Sequence, residues 1–501
     1  MEFLLTTDLV ADLPPEARGS GTRLYRRLRE AILDGRVIPG ERLPSTRELA
    51  RSLALSRNTV TEVYERLGRE GYLEGKHGSG TYVAEHVSAS EHATAHADGA
   101  PVRISEWAKR LPRSRSVVPT RELVHDFRPG LPDLANFPID IWRRLAARNL
   151  REMSNDVGRY GDAAGHAPLR NAIARYLAHS RAVKCNAGDV VVCNGSQQAL
   201  DLLGRVLVEP GTCVAIENPG YTPAASIFEA MGATVAPVPV DMQGIVVEQI
   251  PRDARVVYVT PSHQFPLGIT LSLPRRKALL EFARRTGAII VEDDYDSEFR
   301  FGGRPMESLQ GLDRAGVVVY LGTFSKVLFP GLRLGYIVAP PSLHGAMVAA
   351  KWITDRHTSA LEQLVMTDFI ALGHFERHLR RMERVYRERR QVLIDSLARF
   401  ASRWLAPLPS HAGLHVTADL PMGFDVEELV LRASEAGVGV YSITPFYRRS
   451  ARPGLIFGYG ACSVADIVEG VRRVGGILRS MVPAVGFEPT TNGLQNRCST
   501  N

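Results

Sequence analysis

The sequence predicts a multidomain protein: a small N-terminal α+β domain, then a large α/β domain that ends in a small α+β subdomain. Its 501 residues, 45% hydrophobic and 23% charged, exceed what a single hydrophobic core usually supports. Helical periodicity dominates the first 85 residues, whereas short apolar runs alternate with helical segments from residue 126 onward. We expect a first domain at 1–85, a linker at 86–125, a second domain at 126–483 and a disordered tail at 484–501.

The composition indicates a soluble protein of a reducing compartment. The five cysteines include no C-x-x-C pair, and their odd number argues for free thiols. The N-terminus lacks the basic and apolar stretches of an export signal, and no apolar run approaches the ~20 residues that span a bilayer. We therefore expect a cytoplasmic location, no membrane association and no metal site. The net charge of +7 is compatible with a polyanionic partner.

Three helices are expected in the first domain. Leu24, Leu28 and Ile32 recur with a helical period over residues 22–34. A second helix should open at Ser45, because Glu48 completes a capping box, and run to about residue 53. A third helix carries its apolar residues on one face, namely Val60, Val63, Tyr64 and Leu67. Two short β segments, residues 72–73 and 81–83, then form a hairpin.

This domain has the charge and the polar residues that are typical of a DNA-binding domain. Residues 18–60 hold ten arginines against four acidic residues, which suits phosphate contacts. Short polar groups and one arginine stand where a recognition helix would start, namely Ser56, Arg57, Asn58, Thr59 and Thr61. Each alone has a plainer interpretation, with Ser56 as an N-cap and Arg57 as a solvated charge.

The string of motifs from residue 43 to residue 83 resembles the GntR family of bacterial regulators, which have a winged helix-turn-helix. The resemblance implies contacts to double-stranded DNA from Arg47 in the second helix and from Ser56 to Thr59 in the third. It also implies contacts from the wing tip, at His77 and Gly78.

The second domain shows short, nearly continuous apolar strands at residues 190–193, 213–217, 255–260, 288–292, 317–321 and 334–339. Helical segments such as residues 274–285 separate several of them. Such strands indicate a parallel sheet covered on both faces. Residues 414–420, 437–443 and 454–459 predict the strands of the smaller subdomain.

Residues 322–335 follow a strand and resemble the cofactor-lysine signature of fold-type I aminotransferases, which bind pyridoxal 5'-phosphate. The resemblance implies that Lys326 is the catalytic, Schiff-base lysine and that Arg333 and Thr323 hold the phosphate. It further implies that Asp293 binds the pyridinium nitrogen and Tyr295 the phenolic oxygen of the ring. Asp296 and Glu298 in the same acidic run are expected to form a solvated loop.

Three further segments complete the predicted site. The turn at residues 194–198 offers backbone N–H groups to a phosphate, with Ser196 and Gln197 at the start of a helix. Tyr221 supplies an aromatic plate over the ring, although a lone tyrosine is more often a core residue. Tyr160 resembles the residue that reaches the phosphate of a neighbouring subunit, which implies a homodimer.

The order of domains resembles the MocR subfamily of GntR regulators over residues 20–480. Two departures from aminotransferases weaken the case for efficient transamination. Phe265 replaces the usual asparagine before Pro-x-Gly, with His263 or Gln264 as substitutes, and the last strand lacks an arginine for a substrate carboxylate, with Arg452 the nearest.

We therefore expect a transcription regulator that senses an amine, an amino acid or pyridoxal phosphate itself, with at most weak transaminase activity. The alternatives are an active aminotransferase with an accessory DNA-binding domain, and a DNA-binding protein whose large domain has lost its cofactor.

Overall fold

The structure is a computed structural model that describes residues 20–76, 79–86, 102–112, 123–152, 159–302 and 307–481. The chain divides into two units, Met1–Arg103 and Ile104–Asn501. The boundaries expected from the sequence at residues 85 and 126 stay predictions. Within the described ranges, no helix has the length and apolar character needed to cross a membrane.

The described residues of the first unit form three helices and a hairpin: α1 (Ser20–Leu33), α2 (Thr46–Ser52), α3 (Arg57–Arg69), β1 (Leu73–Lys76) and β2 (Gly80–Val83). The predicted capping box is present at α2. Ser45 Oγ accepts a hydrogen bond from Glu48 N, and the Glu48 carboxylate accepts one from Ser45 N. Both bonds satisfy backbone donors that have no partner within the helix, and so they fix the start of α2.

The helices of this unit enclose one hydrophobic core. The four apolar residues predicted on one face of α3 are buried and pack with Leu24 and Leu28 of α1 and Leu49 of α2. The hairpin is antiparallel and pairs Leu73 with Val83, which are both buried in the same core. Three helices with a packed hairpin form the predicted winged helix-turn-helix.

The second unit contains an eight-stranded sheet. Its strands are β4 (Val190–Cys193), β5 (Cys213–Asn218), β6 (Thr234–Asp241), β7 (Gly244–Ile245), β8 (Val256–Val259), β9 (Ile289–Asp294), β10 (Val318–Thr323) and β11 (Gly335–Val338). Their order is β4-β11-β10-β9-β8-β5-β6-β7. A short two-residue strand, β3 (His125–Asp126), precedes the sheet in the chain.

The expectation of a parallel sheet is wrong at one of the predicted strands, β11. β10, β9, β8, β5 and β6 are parallel, whereas β11 is antiparallel to both of its neighbours, β4 and β10. The connection from β10 to β11 is too short for a crossover helix and so returns the chain in the opposite direction. β7 is likewise antiparallel to β6.

Helices cover both faces of this sheet. The helices of the second unit are α4 (Glu106–Arg110), α5 (Ile139–Arg151), α6 (Ala167–Ser180), α7 (Ser196–Leu207), α8 (Thr222–Ala230), α9 (Leu273–Thr286), α10 (Leu309–Leu312), α11 (Pro341–Asp355), α12 (Ala360–Ala371), α13 (His374–Phe400), α14 (Val426–Glu435) and α15 (Val464–Met481). Alternate residues of one strand enter different cores: Tyr258 packs with α7 and α8, whereas Val257 and Val259 pack with α9.

The small subdomain is built on a second sheet, of order β12-β13-β16-β15. Its strands are β12 (Ala406–Pro407), β13 (His415–Asp419), β15 (Tyr441–Ser442) and β16 (Gly454–Gly458). The segment 437–443, predicted as one strand, is divided between β14 (Val438–Gly439) and β15. β14 pairs in parallel with β3, so the residues that follow the expected linker are tied to the small subdomain.

Candidate cofactor cavity and DNA interface

At the start of α3, some polar side chains make hydrogen bonds within the helix and others have no partner among the described residues. Ser56 Oγ accepts from Thr59 N at 3.1 Å and lies 2.8 Å from Thr59 Oγ1, so Ser56 is the N-cap of α3. Thr61 Oγ1 donates to Arg57 O at 2.9 Å. These three hydroxyl groups are engaged within the helix, which agrees with the plainer interpretation of Ser56.

The side chains of Arg47, Arg57 and Asn58 are exposed and make no hydrogen bond or ion pair with any other described residue. A free guanidinium group can bind phosphate or the paired acceptors of guanine, and a free amide can bind adenine. His77 and Gly78 lie outside the described residues. The DNA-contact roles of all these residues stay predictions.

The second unit holds a cavity of about 370 Å³ at the carboxyl ends of its central strands. Eight of the nine residues predicted to bind a cofactor line it: Ser196, Gln197, Tyr221, Asp293, Tyr295, Thr323, Lys326 and Arg333. The ninth, Tyr160, is 82% exposed, and its neighbours are Arg356 and His357. The structure of one chain does not bring Tyr160 to the cavity, and its role at a second subunit stays a prediction.

Lys326 lies between β10 and β11 and is half-buried. Its Nζ donates a hydrogen bond to Gly130 O at 3.0 Å. Burial lowers the pKa of Lys326, and Arg333 acts in the same direction, whereas Asp296 and Asp293 oppose the shift. A lowered pKa increases the fraction of neutral amine, which is the nucleophilic form.

Asp293 lies on β9 and is 5% exposed. Its Oδ2 accepts a hydrogen bond from Tyr258 Oη at 2.7 Å, whereas its Oδ1 is buried and has no partner among the described residues. Burial raises the pKa of Asp293 to about 6. A buried carboxylate oxygen without a donor is costly, so this atom favours a ligand with an N–H group.

The turn from β4 to α7 forms an anion cradle. Gly195, with φ of +80°, precedes α7 and allows the turn, and Ser196 and Gln197 begin the helix. The guanidinium group of Arg333 lies against this turn, with its Nη2 donating to Asn194 O at 3.1 Å. Free N–H groups at a helix start beside a guanidinium group suit a phosphate.

Asp355, at the end of α11, supports this cradle and was missed in the sequence. One of its oxygens accepts from Asn194 Nδ2 and from Gln198 Nε2, each at 2.7 Å. The other accepts at 2.6 Å from Lys351 Nζ, whose side chain is fully buried. No sequence signal identifies this contact, because Asp355 lies about 160 residues from the turn.

Several lining residues other than the predicted set also face the cavity: Pro129, Gly130, Tyr258, Thr260, Phe265, Ser325, Pro330 and His415. Tyr221 and Phe265 meet edge to face, with ring centroids 5.9 Å apart. Tyr295 Oη donates to the backbone oxygen of His263 at 2.8 Å.

Three expectations about neighbouring residues are corrected. His263 and Gln264 do not line the cavity, because Gln264 is bound to Glu217 and backbone carbonyls and His263 to Asp296. Arg452 lines a separate cavity. Asp296 is 2% exposed, so the acidic run is not a solvated loop.

Glu298, the other acid expected in a solvated loop, is also held in the interior. Its Oε1 accepts from Tyr176 Oη at 3.1 Å. Burial raises the pKa of Glu298 to about 7. The two acids therefore belong to the packed interior beneath the strand edge.

Comparisons with known proteins agree with this arrangement. Residues 21–83 match the model of bacterial regulatory proteins of the gntR family, and residues 131–452 match that of aminotransferase class I and II. The chain is 39% identical to a probable rhizopine catabolism regulatory protein, MocR, of Rhizobium meliloti, over 94% of this chain and 95% of the relative. It is 31% identical to the pyridoxine biosynthesis regulator PdxR of Corynebacterium glutamicum, over 90% and 96%.

A crystal structure of the α-aminoadipate aminotransferase LysN from Thermus thermophilus is also similar. It is 33% identical, with a TM-score of 0.70, over 75% of this chain and 97% of that chain.

The fold and the matches define a regulator class in which a winged helix-turn-helix is joined to a fold-type I aminotransferase-like domain. The chain belongs to the MocR-like transcriptional regulators of the GntR family.

Proposed function

We propose that this regulator binds pyridoxal 5'-phosphate in the cavity at Lys326 and senses there either an amine compound or the cofactor itself. Occupancy of the cavity changes how the first domain binds double-stranded DNA. A ligand can act in this way only if its affinity differs between the two states of the protein.

The observation that carries the proposal is the unpartnered Oδ1 of Asp293 in the same cavity as Lys326. The residues present fit the cofactor. Asp293 supplies an acceptor for the pyridinium N–H, and Lys326 supplies an amine with a lowered pKa. Ser196 and Arg333 offer donors to the phosphate, and the cavity of about 370 Å³ can hold a small ring.

When bound, pyridoxal phosphate supplies an aldehyde that reacts reversibly with amines and a ring that withdraws electrons. The chain's own groups position it. Lys326 would bind the aldehyde carbon, and Tyr221 would cover the ring. Tyr295 would turn its hydroxyl hydrogen from His263 O to the ring oxygen. Thr323 and Gln197 would add contacts to the phosphate end.

A sensor fits this cavity better than an efficient transaminase. Phe265 lines the cavity and offers no hydrogen bond to a ring oxygen. β16 carries no arginine. Arg452, which lies just before β16 in the chain, lines another cavity. An incoming amino acid would therefore have fewer fixed contacts for its carboxylate.

The proposed partner of the first domain is double-stranded DNA, and we expect a homodimer in which Tyr160 reaches the phosphate site of the partner copy. Two recognition helices would then read two half-sites. Binding of chromosomal DNA requires a cytoplasmic location.

The test is a joint titration of the full-length protein. Pyridoxal phosphate and then candidate amines are added while visible absorbance and binding to the protein's own upstream DNA are both recorded. We expect a visible absorbance band, and a change in DNA affinity at the same ligand concentrations.

Lys326→Ala should lose the band and the ligand response but keep DNA binding. An unchanged DNA affinity at full cofactor and amine occupancy would contradict sensing, and sustained turnover of an amino acid with a keto acid would favour the enzyme.

A further inference from the structure

The last turn of α8 (Thr222–Ala230) is attached to two other parts of the second unit. Glu229 forms a bidentate ion pair with Arg448, at 2.6 and 2.8 Å. The backbone oxygen of the next residue, Ala230, accepts a hydrogen bond from Arg110 Nε at 3.0 Å. Carbonyl groups in the last turn of a helix lack partners within the helix, and cations are favoured there. Arg448 belongs to the small subdomain and Arg110 to α4, so these two parts meet at adjacent residues of one helix.

We propose that the last turn of α8 connects the cavity to the chain that joins the two domains. A ligand at Lys326 shifts residues 445–449 of the small subdomain, and this shift changes the attachment of α4 to α8. The inference rests on the proposed function and deepens it, because it names the contacts between the ligand site and the DNA-binding domain. Arg110, Glu229 and Arg448 are positioning residues, since none of them lines the cavity.

The segment 445–449 is bound beside both ends of α8. Just before the helix, Asn218 Oδ1 accepts a hydrogen bond from Arg448 N at 2.8 Å. Gly220 N donates to Phe446 O at 3.1 Å. The ion pair of the Arg448 side chain then holds the same segment at the far end of the helix. Movement of this segment therefore acts on α8 at its start and at its end.

Aromatic rings connect the segment with the cavity. Tyr221 and Phe265 both line the cavity, and Phe265 meets Phe446 edge to face, with ring centroids 4.8 Å apart. Tyr221 is also the N-cap residue of α8. Packed side chains leave little free space, so a ligand that displaces one of these rings also displaces its neighbours. Occupancy of the cavity thus reaches both α8 and the segment 445–449.

The attachment of α4 is weak enough to change. None of its side chains is buried, and Trp107 is 40% exposed. Lys109 pairs with Glu106 of the same helix. Among the described residues, Arg110 is the one side chain of α4 that bonds to another element. Loss of one net hydrogen bond changes an equilibrium constant by about 2- to 12-fold, which is comparable with ordinary coupling between two sites.

The position of α4 matters because it lies within residues 86–125, the segment that the sequence predicts as the linker. The next described element along the chain is β3 (His125–Asp126). Release of α4 would move the attachment point of the first domain by about 15 residues, a reach of up to about 50 Å. Such a change alters how two DNA-binding domains reach paired half-sites.

The test compares the Kd of full-length variants for the upstream DNA without cofactor, with saturating pyridoxal 5'-phosphate, and with each amine that shifts the visible band. Arg110→Ala should keep the band and DNA binding. Its ligand-induced ratio of Kd values should move toward 1 by about 2- to 12-fold, as expected for one hydrogen bond. Arg448→Ala should act in the same way, because it frees the segment 445–449 from the end of α8.

Two matched controls should respond like the wild type. Lys109→Ala removes a cation of α4 that pairs only within that helix. Arg284→Ala breaks a bidentate surface pair with Glu281 on another helix, at 2.9 and 2.8 Å.

A double variant distinguishes one connection from two separate effects. Arg110→Ala combined with Arg448→Ala should reduce the ligand response no further than the larger single loss. Effects at independent sites add in free energy. Additive losses would therefore overturn the inference.

A second measurement uses the wild-type protein. Amide hydrogen exchange at residues 106–111 should differ between the cofactor-free and the saturated protein, and this difference should disappear in Arg448→Ala. The inference would be overturned, and the proposed function left intact, if DNA affinity responds while exchange at 106–111 does not change. A folded Arg110→Ala that keeps the full response would have the same meaning. A wild type with unchanged DNA affinity at full cofactor and amine occupancy would overturn both.

Discussion

Replacement of Asp293 by asparagine tests the proposed cofactor site most directly. Oδ2 already accepts from Tyr258, so only Oδ1 is left for the ring N–H. Asparagine keeps an acceptor at only one of these two positions, because an NH2 group replaces the other oxygen. The variant should therefore lose one charge-assisted hydrogen bond, about 1.5 to 3 kcal/mol, which corresponds to a roughly 10-fold to 150-fold higher Kd for pyridoxal phosphate.

The assay is a titration of cofactor-free protein with pyridoxal phosphate at about pH 8, followed by visible absorbance. The difference in Kd between Asp293→Asn and the wild type should be smaller at acidic pH. Burial raises the pKa of Asp293 to about 6, so below that pH the free wild-type protein must also give up a proton before its carboxylate can pair. Lys326 must lose its proton in both proteins, and the absence of the Asp293 charge makes this step easier in the variant, which partly offsets the expected loss.

Tyr258→Phe is the control for this prediction. It removes the donor to Oδ2 but keeps the carboxylate charge, so its effect on Kd should be smaller than that of Asp293→Asn. An Asp293→Asn protein that binds pyridoxal phosphate within about twofold of the wild type would refute the assignment of Asp293 to the ring nitrogen.

Three further predictions concern other parts of the molecule. Arg57→Ala should weaken specific relative to nonspecific DNA binding by about 1–3 kcal/mol in competition assays, and unchanged operator discrimination would argue against α3 as the recognition helix. Asp355→Ala should lower the free energy of unfolding by about 3–5 kcal/mol in denaturant titrations, because it leaves the buried Lys351 ammonium unpaired. Asp355→Ala with Lys351→Met should recover part of that loss. Burial raises the pKa of Glu292 to about 7, so the folded state of cofactor-free protein binds a proton that the unfolded state has lost. Stability should fall as pH rises from about 4.5 to 7, and Glu292→Gln should flatten this part of the curve.

Local signals predicted the elements of the first domain and six of the eight strands of the large sheet. The capping box at Ser45 and the apolar face of α3 depend on residues three or four apart, and such patterns are read directly from the chain. The strand at residues 190–193 was predicted at its observed bounds because it is continuously apolar and buried. The motif resemblance selected nine cofactor-binding residues, and eight of them line one cavity.

Three features that were missed or wrongly predicted depend on long-range packing. β6 contains Pro237 and Pro239 and is only partly buried, so it lacks the apolar run that reveals a strand. The direction of β11 follows from the length of its connection rather than from its composition. Asp296 resembles a solvated acid until His263, 33 residues earlier, is placed against it.

The pairing of β3 with β14 has a mechanical consequence. Gly130, whose carbonyl oxygen accepts a hydrogen bond from the Lys326 amine, lies only four residues after Asp126 of β3. Gly458 of β16 leaves no space for a side chain against Arg128 O, so this stretch is clamped between the lysine and the small subdomain. A molecule that binds the Lys326 amine would break its hydrogen bond to Gly130 O and so free one end of this segment. The same segment is connected through the chain to the DNA-binding domain.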